Sequence, residues 1–382
     1  MRKISVIFGT RPEAIKLAPV ILKLQEDRDL HCRICVTAQH RELLDHVLST
    51  FGIVPDADLD LMQNSQTLSE LTARTVTAMG GFLEKEKPDL VLLQGDTTTV
   101  LSAALAAFYH RIPIGHVEAG LRTGNIYAPW PEEANRSMVS RIASLHFAPT
   151  RSNRENLLKE GVTSEKIFVT GNTVIDALFS ALKKIDADTV NIPGLSENVI
   201  SSTRPLILIT GHRRESFGKD FESICHAISR LGQIFSDTDF VYPVHLNPRV
   251  REPVFRILKD NHLANIHIID PLPYLSFIAL MQRASLILTD SGGLQEEGIG
   301  LKKPVMVMRN CTERPEGITA KMAVMVGTDF DSIVDHVSDF LNLGEGYFFS
   351  YGDNPYGDGQ ASGRIVNICK KFISAGVLPD AC

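Results

Sequence analysis

The chain has 382 residues, 44% of them hydrophobic and 22% charged, with a formal charge of −6. That length provides for two or three domains and that apolar fraction for sizeable cores, which excludes a disordered chain, while the acidic balance gives no basis for a nucleic acid or an anionic membrane as partner. No run of 18 apolar residues occurs, and Met1-Arg2-Lys3 leads straight into the strand pattern Ile4–Phe8, so a cytoplasmic protein is expected, with neither a membrane span nor a signal peptide.

After the strand Ile4–Phe8 comes Gly9-Thr10-Arg11-Pro12-Glu13-Ala14-Ile15-Lys16. Pro12 suits the first helical position and Glu13 the positive helix end, and Ile15, Ala18, Pro19 and Leu22 have helical spacing. This is the strand–turn–helix opening of a doubly wound sheet, without the G-x-G-x-x-G of a dinucleotide fold. Arg11 and Lys16 fall at the strand's carboxyl end, where open α/β sheets hold ligands; the alternative is solvated surface charge. Cys32 and Cys35, two of six scattered cysteines, form a C-x-x-C inside the predicted strand Leu30–Thr37. Residues three apart on a strand face opposite sides, and no second pair or His cluster completes a site, so structural thiols and no metal are expected. Gln39 and His40 open the next helix, where His40 is either a ligand contact or a solvated side chain.

Asp89–Asp96 reads as a parallel strand buried on both faces, because its apolar run does not alternate. It ends at Asp96, which either caps the following helix or serves a site. A second short strand, Ile112–Val117, ends at Glu118, and Pro129-Trp130-Pro131-Glu132-Glu133-Ala134-Asn135-Arg136 opens another helix. Glu132 and Arg136 lie one turn apart, so a surface pair is the plain reading. Against it, three element ends in one half each deliver an acid, Asp96, Glu118 and Glu132. Parallel strand ends converge on one edge, and clustered carboxylates destabilise one another's charge, so a fold does not gather them without a use. Strands at Leu145–Ala148 and Ile167–Val169 and a helix from Val174 to Lys183 follow. Residues 186–204 are polar and aperiodic and are read as a linker.

The second half restarts the pattern. A strand at Pro205–Ile209 ends in Thr210-Gly211-His212-Arg213-Arg214, again placing cationic groups at a strand's carboxyl end. The apolar run Leu286-Ile287-Leu288 leads into Thr289-Asp290-Ser291-Gly292-Gly293-Leu294-Gln295-Glu296-Glu297. Glycines let backbone approach a ligand, the first helical N–H groups lack internal partners and favour an anion, and Ser291 adds a hydroxyl donor. That is a phosphate cradle, or else a Ser-capped helix start. The expected fold is α/β, two Rossmann-like domains about a central cleft: residues 1–185 with the acids, 205–360 with the cradle, and a last helix, 361–382, returning to the first domain.

The chain closely resembles the non-hydrolysing bacterial UDP-N-acetylglucosamine 2-epimerases over nearly its full length. The resemblance rests on GTRPEAIK (Gly9–Lys16), TAQHRE (Thr37–Glu42), GDTTT (Gly95–Thr99), HVEAGLRTG (His116–Gly124), PWPEEANR (Pro129–Arg136), TGNTVIDA (Thr170–Ala177), TGHRRESFG (Thr210–Gly218), TDSGGLQEE (Thr289–Glu297) and TERPE (Thr312–Glu316). Nine motifs in order make it specific. It implies a GT-B arrangement, a homodimer, and interconversion of UDP-N-acetylglucosamine and UDP-N-acetylmannosamine without a cofactor. By motif, Asp96, Glu118, Glu132 and His212 match the catalytic set, with Arg11, Lys16 and Arg136 beside them. Ser291, Gly292, Gly293, Glu297, Arg314, Leu272 and Phe277 match the UDP set, in which Glu297 suits the ribose hydroxyls and Phe277 the uracil face. Gln39 and His40 match a segment at which some members bind an activating second UDP-N-acetylglucosamine, although Glu42 stands where some have Gln. The rivals are a hydrolysing 2-epimerase, a glycosyltransferase of the same fold, and a UDP-sugar-binding module without activity.

Overall fold

The computed structural model describes residues 1–37, 41–63, 66–185, 191–213, 216–259, 263–344 and 352–376, with the side chains of 41–43 also outside the description. Gln39, His40 and the Glu42 side chain therefore lie outside the described residues. The chain divides into two compact units, Met1–Ser180 with Tyr356–Cys382, and Ala181–Pro355. Among the described residues no helix is long and apolar enough to cross a membrane.

The first unit is built on seven parallel strands: β1 (Arg2–Phe8), β2 (Leu30–Val36), β3 (Ala57–Asp58), β4 (Leu90–Gln94), β5 (Ile114–Val117), β6 (Leu145–Ala148) and β7 (Ile167–Val169). Their order across the sheet is β3-β2-β1-β4-β5-β6-β7, so chain direction across the sheet reverses between β1 and β4. Val6 pairs with Leu92 at that junction. Both strands are buried along their apolar residues, which is why they read as continuous hydrophobic runs. The helix Arg11–Glu26 starts from a full capping box, in which Thr10 accepts from the Glu13 N–H and Glu13 reaches back to the Thr10 N–H. The helix Ala361–Ser374 belongs to this unit; its first two N–H groups, at Ala361 and Ser362, donate to the buried Asp176 carboxylate.

The second unit repeats the plan with six parallel strands: β8 (Leu206–Thr210), β9 (Asp239–Pro243), β10 (Ile266–Ile269), β11 (Leu286–Thr289), β12 (Val305–Val307) and β13 (Ala323–Met325). The order β10-β9-β8-β11-β12-β13 puts its reversal between β8 and β11, where Thr210 pairs with Thr289. Its core joins the sheet residues Ile207, Ile209, Phe240, Tyr242 and Leu288 to Phe221, Ile224, Ile228 and Leu231 of the helix Lys219–Ile234. The apolar i, i+3, i+4 spacing of that helix accounts for its buried face. Elements that carry no strong sequence signal include β3, the helix Arg151–Lys159, the one-turn helix Glu197–Ile200 inside the stretch read as a linker, and the helix Pro248–Val254. The first has two residues, and the second is polar on most of its surface. Cys35 is buried and Cys32 half-buried; desolvation raises both thiols to about 12, which suits inert structural thiols.

Candidate functional site

Ligands of open α/β sheets bind at the carboxyl ends of the strands flanking the reversal. In the first unit those ends carry Gly9–Arg11 after β1 and Gly95–Thr97 after β4, with Glu118 after β5. Glu118 leaves its strand in the left-handed conformation, at φ 64°. Such a backbone costs a non-glycine residue about 1–3 kcal/mol and persists where its surroundings hold it. Here they do: Glu118 is 6% exposed, its Oε1 accepts from Lys16 Nζ at 2.5 Å and from Asn172 Nδ2 at 2.8 Å, and its Oε2 accepts from Gln94 Nε2. Lys16 is thus no surface charge. It is a buried cation aimed at a buried acid, from one helical turn beyond Arg11, which is itself half-buried.

Asp96 does not cap the helix after β4. Thr97 does, accepting from the Val100 N–H. The Asp96 carboxylate meets the Arg136 guanidinium instead, Nη2 to Oδ2 at 2.7 Å, and its carbonyl accepts from Asn135 Nδ2 at 2.8 Å. Arg136 is 4% exposed, so it is not the surface partner of Glu132 that the one-turn spacing suggests. Its Nη1 comes within 3.4 Å of Glu133 Oε2, yet Nε and Nη1 form no hydrogen bond among the described residues. A buried guanidinium with unused donors is costly unless something else accepts them. Glu132 is the first residue of the helix Glu132–Ile142, is half-buried, and has no hydrogen bond or ion pair among the described residues. Its neighbour Glu133 is buried and accepts from the Thr123 and Gly124 N–H groups, fixing the loop that leads from β5.

Two more side chains brace the same corner. Glu13 is buried, which raises its pKa, while donors from Thr10, Thr97 and Gly9 oppose the rise. His116, wholly buried on β5, donates from Nε2 to the Gly95 carbonyl at 2.7 Å; a carbonyl only accepts, so Nε2 carries the proton. Desolvation lowers its pKa to about 4.

The second unit's reversal carries His212 after β8 and Asp290–Gly293 after β11. Asp290 is fully buried and its Oδ2 accepts from the His212 and Arg213 N–H groups at 2.6 and 2.7 Å. The His212 ring is stacked on His245, with centroids 5.3 Å apart. The helix begins at Gly292 itself, so both glycines are helical and no separate Ser-Gly-Gly turn leads into it. Ser291 occupies the N-cap position but its hydroxyl makes no capping bond, which sets aside the Ser-capped alternative. The first N–H groups of Gly292–Gly300 are left with the anion preference of an uncapped helix start.

The two glycines have different neighbours. A Cβ on Gly292 would lie 2.2 Å from Arg314 Nη1, whereas one on Gly293 meets nothing within 4 Å. Arg314 is buried against acids, Nε to Glu296 Oε1 and Nη1 to Glu313 Oε1, both at 2.5 Å. Coulombic attraction to Arg314, Arg309 and Arg213 holds the Glu313 carboxyl well below the usual range, although burial opposes it. Glu297 accepts from the Tyr274 hydroxyl at 3.1 Å; Leu272, just before the helix Tyr274–Arg283, is buried and Phe277, within it, is half-buried.

The structure thus brings Lys16 to Glu118 and Arg136 to Asp96 in one unit, and in the other sets Arg314 against Gly292 at the start of the helix that carries Gly293 and Glu297, with Ser291 at its N-cap. Sequence reasoning missed Gln94, Asn172, Glu13, Glu133 and Asp290 as parts of these sites. The first two and Asp290 had a usable signal, a polar side chain at or just beyond a strand's carboxyl end. Among the described residues no group of His, Cys, Asp or Glu converges as a metal would require.

A sequence model described as UDP-N-acetylglucosamine 2-epimerase matches residues 22–370 of this chain. The UDP-N-acetylglucosamine 2-epimerase of Escherichia coli (strain K12) is 53% identical over 371 residues, covering 96% of this chain and 98% of that protein. The crystal structure of the UDP-GlcNAc 2-epimerase from Neisseria meningitidis bound to UDP-GlcNAc matches with a TM-score of 0.90 at 45% identity, covering 97% of this chain and 100% of that one. The enzyme of Methanocaldococcus jannaschii in complex with UDP-GlcNAc and UDP matches with a TM-score of 0.83 at 36% identity, covering 97% and 99%. Two Rossmann-like domains of the GT-B class are common to these structures and this chain.

Proposed function

The chain belongs to the UDP-N-acetylglucosamine 2-epimerase family, and from that premise we propose that it interconverts UDP-N-acetylglucosamine and UDP-N-acetylmannosamine. The observation that carries the reading is the full-length likeness, at about half identity, to enzymes of that name. The two reversal-point sites support it.

The chemistry is an elimination followed by re-addition. The C2 proton is scarcely acidic, because no carbonyl adjoins C2. Breaking the C1–O bond to UDP makes its loss feasible: the electron pair of that bond leaves with the diphosphate, a carboxylate takes the C2 proton, and a glycal and UDP result. UDP then re-adds while a proton is delivered to the opposite face of C2. The C-terminal unit handles the nucleotide. The start of the helix Gly292–Gly300 and the Ser291 hydroxyl hold the diphosphate, His212 stabilises its charge as it leaves, and Glu297, Leu272 and Phe277 hold the nucleoside. One such preorganised donor is worth about 10²–10³ in rate.

The N-terminal unit handles the hexose. Its three acids are not equivalent. Glu118 is tied to Lys16 and Asp96 to Arg136, so each is held in a fixed orientation beside a cation. Glu132 has no such partner among the described residues and trades the C2 proton on one face, while Asp96 and Glu118 share the proton traffic of the opposite face, each such role being worth about 10²–10⁴. We carry over with this reading a homodimer, and a product that serves as precursor of surface polysaccharide.

The test is isotope exchange. In heavy water the recovered nucleotide sugar of either configuration should carry deuterium at C2, seen by proton NMR. Recovery of unlabelled epimer overturns the elimination. Accumulation of free N-acetylmannosamine with UDP, in place of the epimer, identifies the hydrolysing reaction.

A further inference from the structure

Glu13 closes the capping box of its own helix. Its contacts reach further. Oε2 accepts from the Gly9 N–H at 3.1 Å and the Thr10 N–H at 2.7 Å, and Oε1 accepts from the Thr97 hydroxyl at 2.9 Å. Gly9 and Thr10 form the corner after β1, which leads into Arg11. Thr97 belongs to the corner after β4, next to Asp96, and its oxygen also caps the helix Thr98–Tyr109 by accepting from the Val100 N–H. A capping box needs only the Thr10 contact and its reciprocal, the Glu13 N–H donating to Thr10 Oγ1. The Thr97 contact crosses the sheet reversal and joins two chain segments 84 residues apart.

Everything around this carboxylate is built for close approach. A Cβ on Gly9 would lie 2.2 Å from Thr37 Oγ1 and 2.8 Å from Thr99 Oγ1, and those two hydroxyls are bonded to each other at 3.2 Å. The corner after β4 is held from its other side by His116 on the Gly95 carbonyl and by Asn135 on the Asp96 carbonyl. The second unit does the same with a different residue: Asp290, after β11, holds the N–H groups of His212 and Arg213 after β8 across that sheet's reversal. Both reversal points are laced by one buried acid.

We propose that Glu13 is a positioning residue for the epimerisation, fixing Arg11 against Asp96 by bridging the two corners that carry them. It touches no reacting atom. The inference rests on the epimerase reading above. Displacements near 1 Å at a reacting centre cost about 10²-fold in rate, so loss of the bridge is read in kcat and not in substrate affinity.

Four variants of the full chain test it: Glu13→Gln, Thr97→Val, Thr97→Ser and the double Glu13→Gln/Thr97→Val. Glu13→Gln should lower kcat by about 10- to 100-fold with KM and the Kd for UDP within about threefold of the parent. Thr97→Val should do likewise and Thr97→Ser restore turnover. The double variant should lose no more than the worse single one, because both substitutions cut the same link. Parental kcat in Glu13→Gln, or losses that multiply in the double variant, would overturn the proposal. If Glu13→Gln does not fold, the contrast between Thr97→Val and Thr97→Ser decides: equal kcat in the two refutes the bridge. An inactive parent enzyme would instead sink the epimerase reading, so the two failures are distinguishable.

Discussion

Lys16 and Glu118 make the most exacting test of the N-terminal site. Their charged atoms are 2.5 Å apart, with side-chain exposures of 10% and 5%. Removing one partner of a buried pair leaves an uncompensated charge and costs about 3–5 kcal/mol. Lys16→Met does that. Two further donors to Glu118, Asn172 and Gln94, are neutral amides, and they blunt the loss without matching an ammonium. For a unit of about 200 residues each kcal/mol moves the midpoint by roughly 2–4 °C. Lys16→Met and Glu118→Gln should therefore each lower the transition of this unit by about 6–20 °C in scanning calorimetry. The double variant holds no isolated charge, so it should recover part of the loss, a coupling of about 2–3 kcal/mol. All three should lack turnover, because the stability is recovered and the charge pattern is not. Single variants melting within about 2 °C of the parent, or losses that simply add, would refute the buried pair as described.

The glycines of the cradle separate architecture from binding. Gly292→Ala should force Arg314 off Glu296 and Glu313 and lower stability. Gly293→Ala should leave stability unchanged or raise it by up to about 1 kcal/mol, since it is a helical glycine with open space around its Cα, yet weaken UDP at least about tenfold in titration calorimetry if that space is where the diphosphate sits. Unaltered UDP affinity in Gly293→Ala would remove the cradle from the site. A third expectation concerns pH. His116 and His146 pair across β5 and β6, and burial lowers them to about 4 and about 3 from 6.5. Below pH 6.5 the unfolded chain binds protons that the folded chain refuses, so stability falls as pH falls through 6.5 toward 4. The two residues together contribute roughly 3–5 kcal/mol between pH 6.5 and 4.5. Urea midpoints constant across that window would contradict it.

How much of this was legible in the chain alone depended on whether a residue acts through its position along a strand or through its partners. Asp96, Glu118, His212 and the Ser291–Gly293 stretch stand just past the carboxyl ends of apolar runs, and a parallel sheet collects such ends whatever the rest of the sequence does. Both sheets are parallel and each reverses beside those residues, so strand order alone gathered them. Partners were a different matter. Glu132 and Arg136 have the spacing of a surface pair, and only the fold reveals that Arg136 turns inward to Asp96. Asn172 lies 54 residues from Glu118 and Glu13 lies 84 from Thr97. Nothing local to any of them encodes the contact. Short or polar elements such as Ala57–Asp58 and Arg151–Lys159 were lost for the opposite reason, since they bury too little to leave a periodic pattern.

Arg314 is where partners change the meaning of a residue the most. Motif matching puts it with the nucleotide, as an arginine beside a phosphate cradle invites. Its guanidinium, however, lies against Glu296 and Glu313, and Glu313 is also held by Arg309 at 2.8 Å; all four are no more than 5% exposed. A cation flanked by two carboxylates has little net charge to offer a diphosphate. What it does offer is shape, because it lies where a Cβ on Gly292 would be and so fixes the path of the backbone that opens the helix. The anion is then left to the helix N–H groups and to Ser291. Arg314→Met should accordingly cost about 3 kcal/mol or more in stability, since Glu296 loses its guanidinium while Glu313 keeps Arg309. The folded fraction should bind UDP within about tenfold of the parent, a loss below what a direct charge-assisted phosphate contact usually carries. A variant that melts like the parent but has lost UDP affinity about a hundredfold would reverse the assignment, making Arg314 a ligand of the diphosphate and its carboxylate partners a resting place that the nucleotide displaces.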